Sequence, residues 1–273
     1  MFRLASIIVT GFVCFVLVSH SVQADIVSQI AADAPIAWWR FEDGSSSHGS
    51  AAADSAGTFH GTYLGDIQHL SGVAGQSARF DGNFDSVSIG SMGATPVEGT
   101  IAFWMNTEAL LNWRNPFTTG PLAGGSGGND AIRFEEWSDG SFRVFTGTAT
   151  SGHAPSFNAV YTNSLAINQW HHVAFTWSTA TGDVTGYFNG QQIFDSNSSG
   201  FPTTFSDVRI GMGFDNSSSR SWLGQIDEVA VFDKRLSSTR IAAQFTGVPE
   251  PAAGMSVGFI GMILLIRRRR RNI

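Results

Sequence analysis

The sequence predicts an all-β fold, a two-sheet sandwich. Glycine (31) and phenylalanine (22) are abundant while charged residues make up only 14%, which suits short strands joined by glycine turns better than helices rich in Glu and Lys. Short alternating segments bounded by Gly, Asn, Asp or Ser recur from about Ile36 to Phe232. A chain of 273 residues accommodates one such domain together with short end segments.

Residues 1–24 begin with Arg3, continue through Ile7-Ile8-Val9 and Gly11 to Val18, and end on Val22-Gln23-Ala24. This is the three-part build of a secretory signal peptide, a short apolar helix with cleavage expected after Ala24. The apolar run falls short of the roughly 20 residues that span a bilayer, which disfavours a permanent anchor. The single cysteine, Cys14, sits inside this leader. No disulfide, zinc-thiolate site or cysteine nucleophile is therefore expected in the exported domain, residues 25–247.

Within that domain, strands are expected at Ala37-Trp38-Trp39-Arg40-Phe41, Ser86-Val87-Ser88-Ile89, Thr100 to Met105, and Val173-Ala174-Phe175-Thr176-Trp177. Asn189-Gly190, placed between Tyr187-Phe188 and Gln191-Gln192-Ile193, predicts a hairpin, because that pair favours the positive φ angles of a type I′ turn. One helix is expected, after Leu236. There Ser237 caps a short run from Ser238 to Phe245 that places Ile241 and Phe245 on one face, closing one end of the sandwich.

Residues 248–273 read Val248-Pro249-Glu250-Pro251, an apolar segment over 252–266, then Arg267, Arg268, Arg269, Arg270 and Arg271. That order resembles the PEP-CTERM sorting signal, and the resemblance implies an exosortase-type processing protease as a partner. The arginine block resists translocation, so the tail is expected to halt as a transmembrane sorting helix with the domain outside. An apolar segment shorter than about 20 residues suits a transient protease substrate better than a lasting anchor. The expected destination is the membrane first, then the cell surface or extracellular matrix.

Five segments of the middle region carry a second likeness. They are Ala37-Trp38-Trp39-Arg40-Phe41-Glu42-Asp43; Asp54-Ser55-Ala56-Gly57 with His60-Gly61-Thr62; Ala78-Arg79-Phe80-Asp81-Gly82; Gln169-Trp170-His171-His172-Val173-Ala174 leading to Tyr187-Phe188-Asn189-Gly190; and Gly224 to Phe232 followed by Leu236-Ser237. Together they resemble the laminin-G-like, concanavalin A-like jelly-roll domains. The resemblance implies two antiparallel sheets with the first and last strands paired, bringing Glu42 and Asp227 close. It also implies a structural calcium ion, with Glu42, Asp81 and Asp227 as ligands. The competing reading is that Glu42 and Asp81 cap turns or pair with Arg40 and Arg79.

Charge narrows the partners. Of 16 basic residues, Arg3 and Arg267 to Arg271 lie in the two ends, and of 22 acidic residues only Glu250 does, leaving ten basic against 21 acidic. A middle region this negative gains no counterion-release energy from phosphate backbones, so nucleic acid is not expected as a partner.

Catalysis is not expected. A retaining glycosidase needs two carboxyls about 5 to 5.5 Å apart, whereas adjacent Glu135 and Glu136 point to opposite strand faces. The glycines from Gly124 to Gly128 lack the Lys and Ser/Thr of a phosphate loop and read as a surface loop. Adjacent His171 and His172 face opposite ways and cannot chelate one ion together.

The segment from Asn112 to Asp130 is where a ligand is expected. Trp113, Arg114 and Asn115 offer an apolar ring and polar groups suited to a sugar of an extracellular polysaccharide. The expected function is a non-catalytic, carbohydrate-binding surface module. The alternatives are an adhesive envelope protein that binds proteins, and a divergent glycoside hydrolase.

Overall fold

A computed structural model describes residues 26–121, 130–148, 157–161, 165–213, 215 and 217–247. The expected leader, 1–24, the sorting tail, 248–273, and the glycine loop at 124–128 lie outside these residues. Among the described residues, no helix is long and apolar enough to cross a membrane.

In chain order the strands are β1 (Ala37–Trp39), β2 (Ala51–Ala52), β3 (Gly61–Leu64), β4 (Gln68–Ser71), β5 (Gln76–Asp81), β6 (Ser86–Gly90), β7 (Gly93–Ala94), β8 (Glu98–Thr107) and β9 (Phe117–Thr118). They continue with β10 (Ile132–Glu136), β11 (Phe142–Thr146), β12 (Phe157–Tyr161), β13 (His171–Ser178), β14 (Asp183–Phe188), β15 (Gln191–Asn197), β16 (Thr204–Phe205), β17 (Val208–Ile210) and β18 (Leu223–Phe232). Two helices flank them, α1 (Ile26–Ala32) and α2 (Ser238–Thr246).

Among the described residues, sixteen of the strands form two antiparallel sheets, and β7 pairs with β16 in a separate two-stranded ribbon. The first runs β15-β14-β13-β8-β18-β5-β4, with β1 also paired to β18, and the second runs β12-β11-β10-β9-β17-β6-β3-β2. The first and last strands thus pair, Ala37 opposite Val231 and Trp39 opposite Val229. Inward residues of both sheets meet in one core built on Trp39, Phe103, Phe117, Phe134, Phe175 and Trp177. Phe103 and Phe134 meet edge to face with centroids 5.0 Å apart, the geometry that ring quadrupoles favour. Gly99 is required beside this core, because a Cβ there would run into the Trp177 ring.

The Asn189-Gly190 hairpin forms as its residues demand: φ is +49° and +74°, and Phe188 pairs with Gln191 across a two-residue loop. Helix α2 also starts where expected, with the Ser237 side chain accepting from Arg240 N.

Two expectations are corrected. Helix α2 does not close an end of the sandwich but lies on the outer face of the first sheet, and a second helix, α1, lies beside it. Ile30 and Ile241 pack there on Trp38, Ala102, Ala174, Tyr187, Ala230 and Phe232. Arg240 joins the helices by donating to Asp33 at 2.8 Å and to Gln29 Oε1 at 3.2 Å. The sequence Ile26-Val27-Ser28-Gln29-Ile30-Ala31-Ala32 is too short and too β-branched to announce a helix, so packing supplies its stability. With both faces covered, β13 is buried along its whole length, which erases the alternation of a half-exposed strand.

Candidate functional site

The helices cover the central strands of the first sheet, whereas polar side chains gather on the outer face of the second. There the register brings polar side chains together. Arg133 of β10 lies opposite Phe145 of β11, and Glu135 lies opposite Arg143, so all four share one face. The Arg133 guanidinium sits 4.5 Å from the Phe145 ring centroid. Arg220 bridges Glu135 at 2.8 Å and Asp215 at 3.0 Å, while Arg209 of β17 pairs with Asp207.

Aromatic rings stand at the border of this face. Trp113 is 45% exposed and stands edge-on to Trp137, with centroids 6.2 Å apart and planes at 84°. Trp137 is fixed by its Nε1, which donates to Glu135 Oε1 at 2.7 Å, and by the Arg143 guanidinium 3.7 Å from its ring centroid. Phe84, on the neighbouring loop, is 49% exposed.

Trp113 and Phe84 both adopt left-handed backbone conformations, φ +68° and +64°. Bulky residues seldom occupy this region, at a cost of about 1–3 kcal/mol each, and such strain concentrates at functional sites.

Arg114 supplies the constraint. Its Nη1 donates to Ser221 O at 2.7 Å, to Gly82 O at 3.3 Å and to Ser218 O, while Phe84 N donates to Ser221 Oγ at 2.9 Å. One guanidinium therefore ties together three loops, two of which carry the exposed rings. The root of the Trp113 loop is held by Glu136, whose Oε1 accepts from Leu111 N at 2.8 Å and whose N–H donates to Arg114 O at 2.8 Å. Burial pushes the Glu136 carboxyl up to about 7.

The expected ligand trio is thereby divided. Trp113 faces solvent, whereas Arg114 turns its guanidinium onto backbone carbonyls. Asn115 is fully buried, and its Nδ2 donates to Phe134 O at 2.6 Å. Arg114 and Asn115 support the loop in this arrangement, Arg114 through Nη1 and Asn115 through Nδ2, each donating to backbone carbonyls. Trp137, Arg143 and Phe84 were not singled out from sequence. Nothing local marks them, since the grouping arises from cross-strand register and from contacts over 100 residues apart.

The three expected calcium ligands do not converge as a set. Glu42 and Asp227 reach the same glycine turn: Gln76 N donates to Glu42 Oε1 at 2.8 Å, and Val73 N to Asp227 Oδ2 at 2.8 Å. Asp81 instead caps its own turn by accepting from Asn83 N at 2.7 Å, and its strand partner is Leu223, four residues before Asp227. Arg40 pairs with Glu228 and Arg79 with Glu108, so neither pairs with the acid suggested by sequence proximity. Burial, and next the Glu228 charge, push Asp227 up to about 8, with three backbone N–H donors opposing. Among the described residues, no three His, Cys, Asp or Glu side chains are arranged to hold a metal.

His171 and His172 diverge as their spacing requires. His171 accepts from Ala166 N and stacks on Phe188, while His172 packs under Trp104 and Phe245. Glu135 and Glu136 likewise turn apart, the first to Arg220 and Trp137, the second to Leu111.

A cavity of 540 Å³ lies at the Thr146 end of β11, lined by Thr95, residues 179–182 and residues 198–203. Several of its hydroxyls are already committed, Ser198 to Thr146 and Gly200, and Thr181 to Asp183. It presents no exposed ring for a sugar face, so the aromatic border is the stronger site.

In fold the chain resembles domain 4 of AbnA, a GH43 extracellular arabinanase from Geobacillus stearothermophilus solved with arabinotriose. The TM-score is 0.58 at 18% identity, over 77% of this chain and 97% of that one. It also resembles the botulinum neurotoxin serotype D binding domain, with TM-score 0.60 at 14% identity over 80% of this chain and 52% of the toxin chain. A serotype D ligand-binding domain in complex with N-acetylneuraminic acid superposes with TM-score 0.58 at 14% identity, over 80% of this chain and 52% of that one. No curated protein matches in sequence. Residues 81–242 match the family Laminin_G_3, described as the Concanavalin A-like lectin/glucanases superfamily, and the chain belongs to that family.

Proposed function

We propose that this domain is a non-catalytic carbohydrate-binding module of an exported, exosortase-sorted surface protein. The observation that carries the reading is Trp113, held exposed in a left-handed conformation edge-on to Trp137. A rigid ring at a solvent border suits the apolar face of a sugar, and its strain is sensible where a ligand uses it. Two structures similar in fold were solved with saccharides, arabinotriose and N-acetylneuraminic acid. The acids beside the rings are engaged by arginine or backbone, which favours binding over hydrolysis. Export and sorting rest on the sequence of the two ends.

The reading is tested by affinity electrophoresis of the full chain against arabinan and other neutral polysaccharides. Retardation is expected, and Trp113→Ala should weaken it about tenfold, the order of 1.4 kcal/mol for a lost ring contact. Self-association without glycan dependence would favour the adhesive alternative, and reducing sugar released over time would favour a hydrolase.

The calcium proposal narrows to Glu42 and Asp227, the two carboxylates that share a turn. Calcium is expected to raise Tm and EDTA to reverse the rise. A Tm indifferent to both removes the ion from the account.

A further inference from the structure

Arg133, Arg143, Arg209 and Arg220 cluster around one face of a domain that is otherwise acidic. Arg220 bridges Glu135 and Asp215, Arg209 pairs with Asp207, and Arg133 lies 3.8 Å from Glu135 beside the Phe145 ring.

Arg143 differs from these three. Among the described residues no carboxylate lies within 4.0 Å of it, and its Nε is buried without a hydrogen-bond partner. The acid directly across the strand pair, Glu135, is occupied by Trp137 Nε1 and Arg220 Nη1. Asp139, which feels the Arg143 charge, is exposed and accepts from Ser141 N at 2.9 Å. A guanidinium lying over an indole presents the in-plane N–H groups of its two Nη atoms to an acceptor approaching in that plane, while the buried Nε–H stays covered.

We propose that Arg143 makes the Trp113–Trp137 border selective for acidic polysaccharides, its guanidinium pairing with the carboxylate of a uronic acid while a neighbouring sugar stacks on Trp113. This rests on the carbohydrate reading above. Charge complementarity carries it: the border has a cation with no ion-pair partner, already seated on the indole beside the exposed ring. A planar carboxylate matches the guanidinium fork in two parallel hydrogen bonds, a geometry that a hydroxyl does not reproduce.

The probes are polygalacturonate, its fully methyl-esterified form, a sulfated neutral glucan and plain arabinan, titrated into the full chain by calorimetry at low salt. Wild type should bind polygalacturonate about tenfold more tightly than the ester, as a charge-assisted pair implies, and added salt should narrow the gap. Arg143→Gln should abolish the preference, so that acid and ester bind alike, and Arg143→Lys should retain part of it.

Equal binding of acid and ester by wild type overturns the proposal and leaves the carbohydrate reading standing. Loss of all glycan binding by wild type overturns both. Preference for the sulfated glucan over polygalacturonate rejects the carboxylate as the recognised group. Should Arg143→Gln fail to fold, the acid-versus-ester comparison on wild type and the Arg143→Lys variant decide.

Discussion

Single residues set the local geometry of the loops. Asp54 shows how much one side chain holds: its Oδ1 accepts from Trp38 N at 2.7 Å and Ala56 N at 2.9 Å, and its Oδ2 from Phe59 N at 3.0 Å. Asp54→Ala would strand three backbone donors, and unfolding in urea should show a loss of about 3 kcal/mol. An unchanged midpoint would mean that water replaces the carboxylate. Trp113 was legible as a candidate because an aromatic ring in a polar loop is conspicuous. The roles of Arg114 and Asn115 were not, since side-chain direction depends on carbonyls contributed by Gly82, Phe134 and Ser221.

Among the elements, β18 departs most from a regular strand. Its pairing with β8 shifts register between Asp227 and Ala230, and Glu228 adopts φ +50°. The irregularity aims Glu228 at β1 and the residue after it, where it accepts from Trp38 Nε1 at 2.6 Å and Arg40 Nε at 3.2 Å. Arg40→Ala would leave a buried carboxylate without its cation and should cost about 3 kcal/mol. Adding Glu228→Gln should recover part of that loss. A double mutant no better than the single one would show that the two residues are uncoupled. Strand β18 itself was readable from Val229-Ala230-Val231-Phe232, but its bulge was not, because the register shift answers to β8 and β1 rather than to neighbours in sequence.

At the scale of the whole molecule, buried titrating groups tie stability to pH. Burial raises Asp227 to about 8, and Glu136 and Glu228 to about 7, from ordinary values of 3.8 and 4.5. Between about pH 4 and 8 the folded chain therefore holds protons that the unfolded chain has released, so stability falls as pH rises through that window. His172 acts in the opposite sense. Burial pushes it down to about 3 from 6.5, so the folded chain refuses a proton that the unfolded chain accepts, and stability is lost as pH falls below about 6.5. Burial lowers His69 and His171 in the same sense as His172, but the three carboxyls titrate over a wider span of pH than the imidazoles, so Tm should be higher near pH 5.5 than near pH 8. Glu136→Gln should flatten the slope, and a Tm rising over that range would contradict this account.

What the sequence determined by itself is whatever a few neighbouring residues decide. The all-β composition, the turn at Asn189-Gly190, the cap at Ser237 and the separation of His171 from His172 each follow from local backbone sterics or the period of a strand. Only the tertiary structure decided that α1 exists, that Asp81 stands apart from Glu42 and Asp227, and that Trp113, Trp137 and Arg143 share one border. Those outcomes depend on which strands pair, in what register and under which helix. Contacts that join residues more than 100 positions apart, such as Arg114 with Ser221, leave no trace in the sequence around either partner.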